Sequence, residues 1–230
     1  MKIFIAAAIG FASSALVPVL AAVSTSCGDP STCTVAQLAA GDTITIGDVT
    51  FSLSNIDDFG TVAVDLDAIT VTGVQSAGGA SLLFAADPAL SFAGDADFIS
   101  LDFDLLAEIS ASSSAVFTSA SLSAGADDLT ISGDSSASVT FASDTEFLEI
   151  FDDAVFGEIL TSAAALSSTT SFAALASIAA LGFETASSAS ISAFRFDLAL
   201  EGGIDGEIPL PAAWPLFLGG LAFVARVRRK

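Results

Sequence analysis

Apolar and polar residues alternate with a period of two along much of the middle of the chain. In residues 99–105 every odd-numbered residue is apolar and every even-numbered residue is polar. Residues 194–200 carry the complementary pattern, with the apolar residues at even positions. Because successive side chains of a strand point to opposite faces, both segments are predicted to be half-buried strands.

A hairpin and several shorter strands extend this pattern. Residues 43–46 and 49–53 are rich in Thr, Ile, Val and Phe, and the turn-forming pair Gly47-Asp48 lies between them, which predicts a β-hairpin. The same alternation recurs in three shorter stretches, 62–64, 69–71 and 139–141. Many short strands separated by Gly-containing turns indicate an all-β domain with one core, built as an antiparallel β-sandwich or jelly roll.

Helix and strand compete as interpretations of two further segments. Residues 146–166 place apolar side chains at helical spacing, which makes a short helix one interpretation. Residues 169–181 show a similar spacing but are rich in Ser and Thr, which favours a strand. The Ser- and Ala-rich stretches 111–126 and 132–138 are interpreted as exposed strands and loops of the same domain.

The first 24 residues have the parts of a secretory signal peptide. Lys2 supplies the positive charge, residues 3–20 form the apolar stretch, and small residues follow. Cleavage is predicted after Ala22 or Ser24. Two alternatives stay open: an uncleaved membrane anchor, and a lipoprotein attached at Cys27, although the residues before Cys27 lack the usual Leu.

The charge of the chain is divided sharply along its length. All 27 acidic residues lie between Asp29 and Glu207, and the formal net charge is −21. Arg195 is the single basic residue within that interval. Since affinity for phosphates comes from Lys and Arg, this composition argues against a nucleic-acid partner. It suits divalent cations, high salt or simple solubility.

Cys27 and Cys33 are the only cysteines. An even number of cysteines in an exported chain predicts a disulfide, since the compartment outside the cytoplasm is oxidising. A structural zinc site would need further Cys or His ligands, and the sequence contains no His. A redox site would need a Cys-x-x-Cys spacing, which is absent.

Most residue types of hydrolytic active sites are missing. Carboxylate pairs, which can hydrolyse glycosides, are present, but a chain with 27 acidic residues offers such pairs in any case. A serine nucleophile needs an activating base, but there is no His, and the two Lys residues are Lys2 and Lys230, at the ends of the chain. No Gly-rich phosphate-binding loop ending in Lys occurs. The sequence therefore predicts a protein without catalysis and without an organic cofactor.

Calcium is the one ligand with a positive argument. Several acidic residues stand in pairs, and Asp102 and Asp104, two apart in a predicted strand, would share one face. Carboxylate oxygens are the ligands that calcium prefers, so these two residues are a candidate calcium site. The same residues also fit the solvated side of an amphipathic strand, and no EF-hand loop is present.

The C-terminal segment has a tripartite order. An acidic spacer at 201–207 precedes a Pro-Leu-Pro-Ala block, an apolar stretch that continues to Ala225, and a basic end; the predicted membrane helix covers residues 210–227. Eighteen residues as a helix span about 27 Å, which suffices for a bilayer core. The basic end predicts a cytoplasmic C-terminus, with the acidic domain outside. The basic residues are Arg226, Arg228, Arg229 and Lys230.

This segment resembles the VPLPA-type variant of the PEP-CTERM sorting tail. The resemblance covers residues 208–230, with Ile208 where the family has Val, and the motif residues are Ile208, Pro209, Leu210, Pro211 and Ala212. It implies recognition by an exosortase-type membrane transpeptidase, cleavage near the motif, and transfer to the cell surface or extracellular matrix of a Gram-negative bacterium. Residues 33–51 also look like the start of small β-rich ectodomains that accompany such tails.

The sequence thus predicts four parts: a signal peptide (1–24), an acidic β-sandwich ectodomain (25–200), a spacer (201–207), and the sorting motif, transmembrane helix and basic tail (208–230). The expected protein crosses the inner membrane, passes through a single-span intermediate, and reaches the surface or matrix. We expect a structural or adhesive role there, with exopolysaccharide as a possible partner. The alternative is a surface-held module that binds calcium or glycan.

Overall fold

The computed structural model describes residues 22–76, 78–86, 88–94, 97–184 and 186–202. Most of the predicted signal peptide, the sorting motif, the predicted transmembrane helix and the basic end lie outside these residues. Within the described ranges, no helix has the length and apolar character needed to cross a membrane. The described domain is all-β, as predicted, apart from one short helix, α1 (Val35–Ala39).

Three antiparallel sheets make up the domain. Sheet A contains, in spatial order, β1 (Val23–Thr25), β3 (Thr43–Ile46), β4 (Val49–Gly60), β8 (Phe98–Ile109), β15 (Ser171–Gly182), β11 (Ser135–Ala142), β12 (Phe147–Asp153) and β13 (Gly157–Ile159). Sheet B contains β14 (Thr161–Thr169), β9 (Val116–Ser123), β17 (Ala193–Glu201), β6 (Gly79–Ala85), β5 (Thr70–Ser76) and β2 (Thr32–Thr34). Sheet C contains β10 (Leu129–Ser132), β16 (Ser187–Ile191) and β7 (Ser91–Gly94).

Sheet C continues three neighbouring strands of sheet B. β9, β17 and β6 are neighbours in sheet B, and β10, β16 and β7 stand in the same order in sheet C. The junction is bonded at Ser192, whose N–H donates to the Asp128 carbonyl (2.8 Å) and whose carbonyl accepts from the Ala86 N–H (2.7 Å). Sheets B and C therefore form one bent layer opposite sheet A.

Phenylalanine rings fill the space between the layers. Phe141 from sheet A stacks on Phe196 from sheet B with ring centroids 4.8 Å apart, and Phe84 stacks on Phe194 at 4.5 Å. Phe103 joins the two pairs, at 5.9 Å from Phe84 and 6.3 Å from Phe141. Rings at these separations attract one another beyond simple burial. Six Phe residues thus form a connected core: Phe84, Phe103, Phe141, Phe172, Phe194 and Phe196.

The period-two segments are confirmed as strands. β8 buries its odd-numbered residues, β17 buries Phe194, Phe196 and Leu198, and β3 and β4 form the predicted hairpin. Residues 169–181 lie largely in β15, as favoured. The Ser- and Ala-rich stretches contain β9 and β11. Both strands bury every second residue along most of their length, so the prediction that these stretches are exposed was wrong.

Two interpretations of secondary structure are wrong. Residues 146–166 form no helix; they hold β12, β13 and most of β14. Residues 62–64 form no strand, because the chain turns away from sheet A after Gly60. The sequence reading also missed α1, whose start is a capping box: Thr34 Oγ1 accepts from Gln37 N–H, and Gln37 Oε1 accepts from Thr34 N–H.

A disulfide lies at one side of the domain, near the start of the described chain. β1 is an edge strand of sheet A, β2 is an edge strand of sheet B, and Cys27 and Cys33 link the turn between them to β2. The two Cα atoms are 5.6 Å apart, within the usual range. The predicted disulfide is therefore confirmed. It constrains the segment in which the chain first passes from sheet A to sheet B.

Replacing both cysteines with serine is expected to lower the free energy of unfolding by about 2–2.5 kcal/mol, the chain-entropy value for so small a loop. Urea unfolding followed by circular dichroism measures the difference. Reducing agent should cause a similar loss in the unmodified protein and none in the double variant. A loss under reducing agent that is the same in both would assign the effect to something other than this bond.

Candidate functional site

Both ends of the described domain leave from the same side. The N–H of Gly47 donates to the carbonyl of Ala22 (3.1 Å), at the N-terminal boundary. Gly47 also lines a pocket of about 370 Å³ together with Gly202, at the C-terminal boundary. We call this side the proximal end. Any segment before residue 22 and any segment after residue 202 therefore join the domain here.

The opposite side, the distal end, is a bonded set of loops. β4 leads there, since its 12 residues starting at Val49 extend about 36 Å. Four backbone hydrogen bonds of 2.9–3.2 Å connect neighbouring loops: Thr61 to Phe98, Gly182 to Asp97, Phe183 to Asp134, and Ala154 to Ser135. The distal loops therefore form a continuous surface.

Large apolar side chains are exposed along that surface. Phe156 is 82% exposed, Val155 76% and Phe183 58%. The full set, here called the distal rim, is Phe59, Val62, Val155, Phe156, Ile159 and Phe183. Exposed apolar side chains gathered at one end of a domain commonly mark an interaction site. The distal rim is therefore the first candidate for contact with a partner.

A groove adjoins the distal rim on the outer face of sheet A. Alternate residues of β11 and β12 bury into the core, which turns the others outward. A depression of about 340 Å³ lies among these outward residues and Phe156. Its lining, here called the aromatic groove, is Ser136, Ser138, Glu149, Phe151, Asp153 and Phe156.

Asp153 fixes the position of Phe156. One carboxylate oxygen, Oδ1, accepts hydrogen bonds from the N–H groups of Val155 (2.8 Å) and Phe156 (2.9 Å). Gly157 follows with φ of +83°, a value that glycine adopts without strain. This turn holds the Phe156 ring beside the groove although 82% of its surface is exposed.

The groove carries negative charge only. Its ionisable residues are Glu149 and Asp153. Arg195 is the one basic residue among those described, and it lies on the outer face of sheet B because its neighbours Phe194 and Phe196 point into the core. Its Nε donates to Asp197 Oδ1 (2.7 Å). Arg195 therefore forms its ion pair on the other layer. Among the described residues, no basic side chain is left to pair with the carboxylates of the groove.

The proposed calcium residues lie elsewhere on the same face. Asp102 and Asp104 share the outer side of β8, as the alternation predicted. Asp104 Oδ2 accepts from Asn55 Nδ2 (2.6 Å), and Ser100 Oγ lies 3.5 Å from Asp102 Oδ1. Among the described residues, no group of three or more His, Cys, Asp or Glu side chains could hold a metal ion. Calcium at these two residues stays a prediction.

Sequence reasoning did not identify the aromatic groove. Its residues come from two strands and one turn, and no motif connects them. The available signal was the presence of apolar residues at both odd and even positions of β12, Phe147 and Phe151 on one face and Leu148 and Ile150 on the other. That signal supported the incorrect helix.

Comparisons with known proteins do not assign the chain to a family. No protein-family model matches the chain, and no curated protein matches it. Among solved structures, it is similar to the enzymatically active domain of tailspike protein 4 from bacteriophage CBA120, at 12% identity and a TM-score of 0.20. The match covers 67% of this chain and 19% of that one, so this chain spans about a fifth of its length. At this TM-score the similarity does not bear on fold or activity.

Proposed function

We propose that this is an exported protein of the cell surface or extracellular matrix, with a structural or adhesive role and no catalysis. One observation carries the proposal: both chain boundaries lie at the proximal end, and six of the nine exposed large apolar residues of the described domain, the distal rim, lie at the distal end. A β-sandwich attached at its proximal end would present the distal rim outward. A structural or adhesive protein needs such a division between attachment and contact.

The attachment is supplied by the segments on either side of the domain. Residues 1–22 have the composition of a signal peptide, and residues 208–230 resemble an exosortase-processed sorting tail with a membrane-spanning stretch. In this proposal the tail holds the protein in the inner membrane until a transpeptidase cuts near Ala212. The mature protein then passes to the surface or matrix, where exopolysaccharide is the expected surrounding.

The absence of catalysis is proposed from side-chain chemistry. The sequence contains no His, and both Lys residues lie outside the domain. The groove offers two carboxylates, Glu149 and Asp153, but no basic side chain lines it. It therefore holds neither a His or Lys base to activate a serine nucleophile nor a cation to stabilise a developing anion, which favours binding over hydrolysis.

Mass mapping of the mature protein from its own host tests the proposal. We expect it in the surface or matrix fraction, beginning at Val23 and ending near Ala212. Cleavage after Ala22 is expected over cleavage after Ser24, because Val23 and Ser24 pair with Ile46 and Thr45 in sheet A and the second cut would remove them.

Two variants separate sorting from simple anchoring. Pro211→Ser alters the motif and should leave residues beyond Ala212 attached. Pro215→Ser, four residues further on and outside the motif, should be processed normally. An exported protein that retains Lys230 in the unmodified chain would contradict processing and indicate a permanent single-span anchor. A protein found intact from Met1 in the cytoplasm would contradict the whole proposal.

A further inference from the structure

We propose that the outer face of sheet A binds a polysaccharide that carries free, positively charged amino groups, with the aromatic groove as its main contact. This inference deepens the proposed function and rests on it only for the setting, a matrix rich in polysaccharide. The argument concerns ring faces, charge and the shape of the surface.

The groove offers two aromatic faces. Phe151 projects from β12, and Phe156 stands beside it on the turn held by Asp153. The apolar C–H faces of sugar rings pack against aromatic rings, and a Phe ring supplies this contact without a polar group of its own. Hydrogen bonds must then come from neighbouring side chains, which here are the hydroxyls of Ser136 and Ser138. A volume of about 340 Å³ is at the lower end of ligand pockets and suits a small unit such as a sugar ring.

Charge selects the class of sugar. Glu149 and Asp153 border the groove, and no basic residue lines it. Asp153 uses Oδ1 to hold its turn, and within the described residues Oδ2 accepts no hydrogen bond. A protonated amino group would pair with these carboxylates, and a cation can also lie over a Phe ring. An anionic polysaccharide would be repelled by a chain whose net charge is −21.

The surface also has the form that a polymer needs. The strand register places one residue from each of six neighbouring strands in a row across sheet A, here called the crossing row. In order it contains Ile159, Phe151, Ser138, Ala179, Ser100 and Phe59. Small residues occupy its middle, where Ser100 is only 7% exposed, and large apolar residues occupy its ends. With strands about 4.8 Å apart, the crossing row is about 24 Å long, which is room for several linked sugars.

A parallel row supplies further carboxylates. The neighbouring register positions, two residues along each strand, place Glu149, Asp102 and Asp57 on the same face. Negative charge therefore accompanies the crossing row at both of its ends. Asp102, which the sequence suggested as a calcium ligand, has a place in this arrangement as a partner for amino groups along the polymer.

Titration calorimetry with defined oligosaccharides tests the proposal on the full chain in detergent micelles. The probes are a hexamer of glucosamine, the same hexamer fully N-acetylated, and hexalysine. We expect the glucosamine hexamer to bind and the acetylated hexamer, which has lost its positive charges, to bind at least tenfold more weakly. Hexalysine should also bind at least tenfold more weakly, because it lacks ring faces.

Variants locate the contact. Phe156→Ser should weaken binding of the glucosamine hexamer at least tenfold without affecting folding, since the ring is 82% exposed. Phe147→Ser is the matched control: Phe147 lies on β12, the strand that precedes the Phe156 turn, is 60% exposed and does not line the groove, so affinity should not change. Glu149→Gln should weaken binding, whereas Glu108→Gln, on β8 outside both rows, should not.

Three results would overturn the proposal: no binding of the glucosamine hexamer, equal binding of the acetylated hexamer, or equal binding of hexalysine with no effect of Phe156→Ser. The last result would show attraction of any polycation to an acidic surface. None of these results depends on export or processing, so the proposed surface location is tested separately by mass mapping.

Discussion

Replacing Phe141 with alanine is expected to lower the free energy of unfolding by about 3–5 kcal/mol, the usual cost of removing a buried aromatic ring. Phe141 is 1% exposed and contacts rings from both layers: Phe103 at 6.3 Å, Phe194 at 6.3 Å and Phe196 at 4.8 Å. The substitution therefore leaves a cavity between the sheets and also removes three aromatic contacts. Domains are stable by about 5–15 kcal/mol, so this is a large part of the total.

Urea unfolding followed by circular dichroism is the suitable measurement, because the sequence has no Tyr and its single Trp, Trp214, lies outside the described domain. Phe147→Ala is the matched control. Phe147 lies on the adjacent strand β12 and is 60% exposed, so its loss should change stability by less than about 0.5 kcal/mol. If both variants lost the same stability, the core would not be where the structure places it.

The fold class followed from the sequence because most strands have one buried and one exposed face. β8 and β17 are clear examples, since each buries alternate residues against the Phe core and places polar residues outward. The hairpin of β3 and β4 could also be predicted from the sequence, because Gly47-Asp48 is a local turn signal. In these segments the local pattern and the tertiary environment agree.

The incorrect helix at 146–166 has a physical cause. β12 carries Leu148 and Ile150 inward and Phe147 and Phe151 outward, so apolar residues occupy both faces. An apolar residue on an outer face interrupts the period of two, and here the resulting pattern repeats every three to four residues, as in a helix. The prediction therefore failed at the strand that builds the aromatic groove. Outward apolar residues that cost solubility are expected where a protein binds something.

The groove and the crossing row could not be derived from the sequence because the sheet topology assembles them. Phe59 and Ile159 are 100 positions apart in the chain yet stand at opposite ends of one row. Only the register of five strand pairs brings them into line, and no local signal encodes that register. The sequence did show that carboxylates would dominate the surface, since Arg195 is the single basic residue between Asp29 and Glu207.

The second large effect is expected at Gly73, where the two layers lie close together near the disulfide. Gly73 lies in β5, and a Cβ atom there would meet Ile44 Cγ2 at 2.7 Å, Val23 Cγ1 at 2.9 Å and Ile46 Cγ1 at 3.2 Å. The first two separations are shorter than real Cβ contacts. Glycine at this position lets sheet B pack against β1 and β3 of sheet A.

Gly73→Val is therefore expected to lower the free energy of unfolding by about 3 kcal/mol, the upper part of the range for overpacked cores. A double-mutant cycle with Ile44→Ala distinguishes crowding from a change in strand propensity. Ile44→Ala alone should destabilise the protein by about 2–5 kcal/mol, since Ile44 is fully buried. In a chain that already carries Gly73→Val, the same change creates space for the new methyl groups and should cost at least about 1 kcal/mol less. Strictly additive effects would show that the layers separate at this edge, and that the close packing of β5 on β3 does not determine the effect of the substitution.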